Sequence, residues 1–323
     1  MILSGMTRVA KAMEISLLLW LPVGQDLFAQ AAIRRLAYPS GDFSQPQWNI
    51  RADKNLVLVP VSVVDQKDRP VVGLKRRQFR VFDNRAEQSI ESFSMEDAPL
   101  AVGIVFDTSG SMRGKLRRSR MAVKAFLDSA NREDEFLLVE FNDRPALSVP
   151  LTGDPLQIET RLAHTEPKGN TALLDAIYFG VAEIEKSAKA RQALLVISDG
   201  GDNHSRYRAR ELARFVGESN VLIYTLGIYS PTATPAELAG PALLSWVAEQ
   251  TGGREYSVDP AELPDIAAKI GVQLRNEYVL GFSPGSEPRD GRYHALRVKM
   301  VRTPGLPQLA ASWRRGYYGE SDQ

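Results

Sequence analysis

The chain has 323 residues, 44% of them hydrophobic and 24% charged, and a formal net charge of +1. That balance fits a folded globular protein and excludes a bulk electrostatic pull toward nucleic acid or a membrane surface, so no nucleic-acid partner is expected. There is no cysteine, which excludes disulfide frameworks, thiolate metal sites and Cys nucleophiles.

In chain order, Arg8 and Lys11 precede a short apolar run at 15–21 (ISLLLWL), then Pro22, Gly24 and Ala29-Gln30-Ala31. A positive region, an apolar region and an A-x-A site make the pattern of a secretory signal peptide, here 1–31, and the apolar run is too short to cross a bilayer. The expectation is an exported protein, periplasmic or extracellular, with no transmembrane span after signal cleavage. Residues 32–54 read as a polar linker. Alternation then predicts an N-terminal β segment over 55–98: a strand at 56–65, a turn and short strand in QKDRPVVGL, and two strands around Asp83-Asn84.

From residue 99 the rhythm becomes strand, helix, strand. Strands are predicted at 101–106, 135–141, 191–198, 221–228 and 255–258, with an edge strand at 146–151. Helices are predicted at 118–131, 155–162, 171–190, 206–219, 243–251 and 263–275, the fifth closed by Gly252-Gly253. This is an α/β unit over 99–275 with a doubly wound, mostly parallel sheet. Alternation returns over 276–323 as three strands. Neither β end alone supplies a sizeable core, so the two flanks are expected to pack together as a small β-sandwich-like module.

Chemistry concentrates where the strand 101–106 (AVGIVF) ends. Asp107, Thr108, Ser109 and Ser111 follow at once, with Gly110 allowing a sharp turn. One helix cap needs one such residue, and this is more oxygen than capping requires. Two further loops carry oxygen ligands: Lys168-Gly169-Asn170-Thr171 before a helix, and Ser198-Asp199-Gly200-Gly201-Asp202-Asn203 after a strand. Open α/β sheets place ligands at the carboxyl ends of their strands. Hard oxygen donors without Cys or His suit Mg²⁺, or Mn²⁺ or Ca²⁺.

The set Asp107, Ser109, Ser111, Thr171 and Asp199 resembles the metal-ion-dependent adhesion site of the von Willebrand factor A domain: D-x-S-x-S, a distant Thr, a distant Asp. The flanks resemble those of a bacterial exported subfamily, through Phe79, Val81, Asp83, Asn84, Ile90 and Phe93 before the domain and Tyr278, Leu280, Gly281 and Phe282 after it. The resemblance implies that Ser109 and Ser111 bind the ion directly, Thr171 directly or through water, and that Asp107 and Asp199 supply charge. It also implies a coordination position left for a Glu or Asp of a protein partner, and thus metal-bridged recognition without bond-breaking or a small-molecule substrate. Arg113, Lys115, Asn170 and Asp202 are the expected rim around such a partner, although a basic run at 113–120 is more simply a solvated helix start. Asp202 is more plausibly a helix cap than a second metal ligand.

No phosphate loop, nucleophile elbow or dinucleotide fingerprint is present, so no enzyme activity is expected. Two alternatives to recognition stay open. One is a structural or assembly role in the cell envelope, with the metal only stabilising loops. The other is a metal-dependent hydrolase resting on Asp199 and Asp202.

Overall fold

In a computed structural model the described residues are 56–95, 99–229, 238–259, 261–284, 292–302 and 308–319, all inside the unit Ala52–Gln323. The expected signal peptide, the linker and the turn at 287–291 lie outside them. Among the described residues no helix is long and apolar enough to cross a membrane.

The N-terminal flank contributes β1 (Val57–Val64), β2 (Phe79–Asp83), β3 (Ala86–Gln88) and β4 (Ser92–Ser94). Next comes β5 (Leu100–Asp107), in which every residue is buried. Its alternate side chains serve opposite layers: Leu100, Val102, Ile104 and Phe106 join one core, Ala101 and Val105 the other. A strand covered on both faces needs no polar side, which is why its sequence reads as a continuous apolar run. The remaining strands of this sheet are β6 (Glu135–Phe141), β7 (Pro145–Thr152), β8 (Arg191–Ser198), β9 (Leu222–Ile228) and β10 (Glu255–Val258). They form a six-stranded sheet in the order β10-β9-β8-β5-β6-β7, parallel except for the antiparallel edge strand β7.

Helices α1 (Leu116–Leu127), α2 (Pro155–Ala163) and α6 (Leu263–Arg275) cover one face through Val123, Phe126, Ile158, Leu162, Ile270 and Leu274. The other face is covered by α3 (Leu173–Ile184), α4 (Ala209–Glu218) and α5 (Gly240–Thr251) through Ile177, Val181, Leu212, Val216, Leu244 and Val247. This is the mixed α/β, doubly wound architecture expected from the sequence.

The C-terminal flank supplies β11 (Tyr278–Phe282), β12 (Tyr293–Met300), β13 (Ala310–Trp313) and β14 (Gly316–Tyr318). Two antiparallel four-stranded sheets result, β13-β1-β11-β4 and β14-β12-β2-β3, each drawing strands from both ends of the chain. Val59, Val61, Val63 and Leu280 from the first sheet share one core with Phe79, Val81, Leu296 and Val298 from the second.

Several boundaries differ from the sequence reading. The helix expected at 171–190 spans only Leu173–Ile184. At its start Thr171 and Ala172 are held by loop contacts instead, with Ala172 N–H donating to the Asn142 carbonyl (2.8 Å). At its end Ser187 leaves the helix and donates to Glu135 (2.8 Å). The short strand expected in 66–74 does not form. A single bridge, Val64 to Pro70, is followed by the Leu74 N–H donating to the Tyr278 hydroxyl (3.0 Å) and a 3₁₀ turn at Arg76–Gln78.

The α/β unit joins the β module through buried polar contacts. Gln273 of α6 donates to Ser62 of β1 (2.7 Å) and accepts from Tyr256 (2.7 Å). Glu277, buried just beyond α6, accepts from Tyr224 and lies 3.3 Å from Arg191. Gly252 closes α5 in the left-handed region at φ +85°, with the Trp313–Arg314 backbone where a Cβ would sit.

Burial pushes the Glu277 carboxyl from 4.5 up to about 7, against the opposing pull of Arg191. The folded chain therefore keeps this proton through a range where the unfolded chain has lost it. The stability this group contributes should be fully present below about pH 4.5 and be lost as pH rises through about 7. Glu277→Gln should flatten that part of the profile, as read by denaturant unfolding at pH 5 and pH 8.

Candidate functional site

β5 and β8 are adjacent and parallel, with Phe106 beside Ile197. Their carboxyl ends therefore bring Asp107 next to Ser198 and Asp199, and all three side chains are fully buried. Asp107 is held at both oxygens, one by the Ser109 N–H (2.8 Å) and the other by the Ser198 hydroxyl (2.5 Å). Ser198 in turn accepts from the Gly200 N–H (2.9 Å) within its own loop, while its hydroxyl bond to Asp107 ties the two loops together. The hydroxyls of Ser109 and Ser111 lie 3.0 Å apart beside this pair.

The Thr171 loop is stitched to the first loop by backbone bonds. Gly110 N–H donates to the Gly169 carbonyl (3.0 Å), and Lys168 N–H to the Thr108 carbonyl (2.8 Å). Thr171 is buried, its N–H donating to the Asn203 side chain (2.9 Å) and its carbonyl accepting from the N–H groups of Asn203 and His204. The segments bearing Asp107, Ser109, Ser111, Thr171 and Asp199 thus meet at one edge of the sheet.

Electrostatically the site is strained toward positive charge. Burial pushes the Asp107 carboxyl up to about 7, and repulsion from Asp199 adds to the effect. Both carboxylates lie where anionic charge is costly unless a cation accompanies it.

The expected rim divides. Arg113 and Asn170 are exposed. Asn170 is anchored by Asp143, whose carboxylate accepts from its N–H (2.9 Å) and its amide (2.8 Å). Those two bonds, the backbone one first, hold the Asp143 carboxyl below its ordinary value. Lys115 is not a rim residue: its ammonium turns inward to Asp199 (2.9 Å), with only 11% of the side chain exposed. A buried carboxylate calls for a counter-charge close by, and the Lys115 ammonium supplies it. Asp202 likewise faces inward, accepting from the Leu173 N–H (3.0 Å) and the Ser205 hydroxyl (2.6 Å). It caps α3 from another loop, and burial raises its carboxyl above the ordinary range.

Sequence reasoning missed Ser198, Asn142, Asp143 and Asn203 as supports. The position of Asn142-Asp143 at the carboxyl end of β6 was the available signal for two of them. It also missed Gly240. Gly200 sits at φ +78°, and a Cβ there would come within 2.5 Å of the Gly240 Cα, so the Asp199 loop lies directly against the start of α5.

Among the described residues no three His, Cys, Asp or Glu side chains converge as a metal cluster. An ion here would depend on two carboxylates plus hydroxyls, and the donor set of Asp107, Asp199, Ser109, Ser111 and Thr171 fits a hard divalent cation on that chemistry.

Residues 102–201, the stretch holding all five oxygen-bearing positions, match the family model described as von Willebrand factor type A domain. Over 170 residues, 48% of the chain, the sequence is 25% identical to inter-alpha-trypsin inhibitor heavy chain H2 of Sus scrofa, of which it spans only 18%. Among solved structures, a von Willebrand factor type A protein from Catenulispora acidiphila is similar at 13% identity and a TM-score of 0.49, covering 83% of this chain and 73% of that one. The conserved hypothetical protein BatB from Bacteroides thetaiotaomicron is similar at 19% identity and a TM-score of 0.45, covering 54% of this chain and 98% of that one.

The close approach of Gly200 to Gly240 makes a contrast that can be measured. Gly200→Ala should destabilise the chain by about 2 kcal/mol or more, since both the positive φ and the backbone contact oppose it. A Cβ at Gly201 meets its nearest atom, an Asp199 oxygen, at an ordinary 3.6 Å. Gly201→Ala should therefore stay within about 0.5 kcal/mol of wild type in denaturant unfolding.

Proposed function

We propose that this chain is an exported recognition protein whose A domain binds a divalent cation, Mg²⁺ or else Mn²⁺ or Ca²⁺, and grips an acidic side chain of a protein partner through it. The observation that carries the reading is the buried pair Asp107 and Asp199, bordered by the hydroxyls of Ser109 and Ser111. Two buried carboxylates call for positive charge, and neutral hydroxyls complete a donor set for a hard ion.

Asp107, Ser109, Ser111, Thr171 and Asp199 would hold the ion. A divalent cation with largely neutral direct ligands supplies an electrophilic position that accepts a carboxylate oxygen. The chain's own residues organise that position. Ser198 and the Ser109 N–H fix the Asp107 carboxylate, and Asp143 holds the Thr171 loop through Asn170. Arg113, exposed beside the first loop, adds positive charge facing an incoming acidic partner. Recognition of this kind breaks no bond, so the reading is of a binding protein and not an enzyme. Export rests on the signal-peptide pattern at 1–31.

Asp107→Ala should abolish calorimetric Mg²⁺ and Mn²⁺ binding and chelator-reversible capture of an acidic partner while leaving the fold intact by circular dichroism. Unchanged Mg²⁺ affinity in this variant would remove the site assignment.

A further inference from the structure

We propose that Lys115 is a tethered cation of this site: its ammonium stands beside Asp199 as the chain's own positive charge and must swing aside for a divalent ion to bind. The inference rests on the metal-binding reading above and deepens it, by making the affinity of the site a competition within the chain.

Lys115 lies at the N-cap of α1, where the helix dipole disfavours a positive charge. Its backbone is nevertheless fixed there, its carbonyl accepting from the N–H groups of Arg118 and Ser119 (both 3.1 Å) and from the Ser119 hydroxyl (3.1 Å). From that anchor the side chain reaches back across the first loop to Asp199, ending 2.9 Å from its Oδ2 with the acid only 1% exposed. Against the unfavourable dipole stands a buried carboxylate with Asp107 as a like-charged neighbour. An ammonium there neutralises one of the two negative charges and lets the three loops stay assembled without a metal.

The same placement opposes a divalent ion. Two cations sharing the Asp199 carboxylate repel strongly at low dielectric. A lysine stem is flexible, and the space around neighbouring Gly114 is open, with no atom within 4 Å of where a Cβ would lie. The side chain therefore has a route to solvent once it is displaced. Displacement breaks the charge-assisted hydrogen bond to Asp199, which sets the penalty that metal binding must overcome at about tenfold in affinity or more.

The test uses the full chain as wild type, Lys115→Met and Asp107→Ala, each titrated with Mg²⁺ and Mn²⁺ by calorimetry and melted in chelator. The expected result is that Lys115→Met binds Mg²⁺ about tenfold more tightly than wild type. Its Tm in chelator should fall below wild type and recover on adding Mg²⁺. Binding by Lys115→Met where wild type shows none supports the inference equally. If Lys115→Met is unfolded in chelator, refolding on Mg²⁺ addition supports it and failure to refold at saturating Mg²⁺ overturns it. Equal or weaker Mg²⁺ affinity in Lys115→Met, with wild type binding, overturns the inference and leaves the metal site standing. Binding by neither protein, or undiminished binding by Asp107→Ala, overturns the metal reading itself and the inference with it.

Discussion

Two carboxylates, Asp107 and Asp199, end neighbouring parallel strands in the middle of a sheet that is covered on both faces. Ionised groups at that depth need hydrogen-bond donors and a counter-charge close by, and the surrounding structure supplies them. The Ser109 N–H and the Ser198 hydroxyl hold Asp107, while the Lys115 ammonium holds Asp199. The Thr171 loop is joined to the first loop by two backbone bonds, one donated from each side, and to the Asp199 loop by the Asn203 clasp. Each contact fixes a loop that the sheet alone would leave free. The sheet's contribution is geometric, since parallel pairing of β5 and β8 sets the two acids side by side.

The β module poses a different physical problem. β1 lies between β11 and β13, and β12 lies between β2 and β14, so both of its sheets require the two ends of the chain. Such pairings have high contact order, since the whole α/β unit lies between the paired strands along the chain. The domain is thus inserted into the module. Its closing helix α6 runs into β11, and the buried contacts of Gln273 and Glu277 tie that junction to Ser62, Tyr224 and Arg191. Movement of α6 would have to break this network, which makes the junction a stiff connection.

Elements with a strong period were legible in the sequence. The unbroken apolar run before Asp107 can be satisfied only by a strand buried on both faces, and alternation at both ends of the described chain became antiparallel sheets. Helix ends were less legible because tertiary bonds decide them: the Asn142 carbonyl and Asn203 capture residues that local propensity would place in α3. Residues 66–74 carry β-branched side chains, yet past the single Pro70 bridge the Tyr278 hydroxyl takes the Leu74 N–H and no strand forms. A hydroxyl 204 residues away along the chain leaves no local signal.

By itself the sequence determined the α/β class, the mostly parallel sheet and the gathering of oxygen-bearing residues at strand ends, because apolar period and residue chemistry are local properties. Direction was decided by the tertiary structure alone. Lys115 reads as surface charge in a basic run, yet it points inward because a buried carboxylate from a strand far along the chain stands within its reach. Asp202 caps a helix that precedes it, and Gly200 is needed because Gly240 passes against it. In each case the partner comes from another element, and only the packed sheet brings the two within bonding distance.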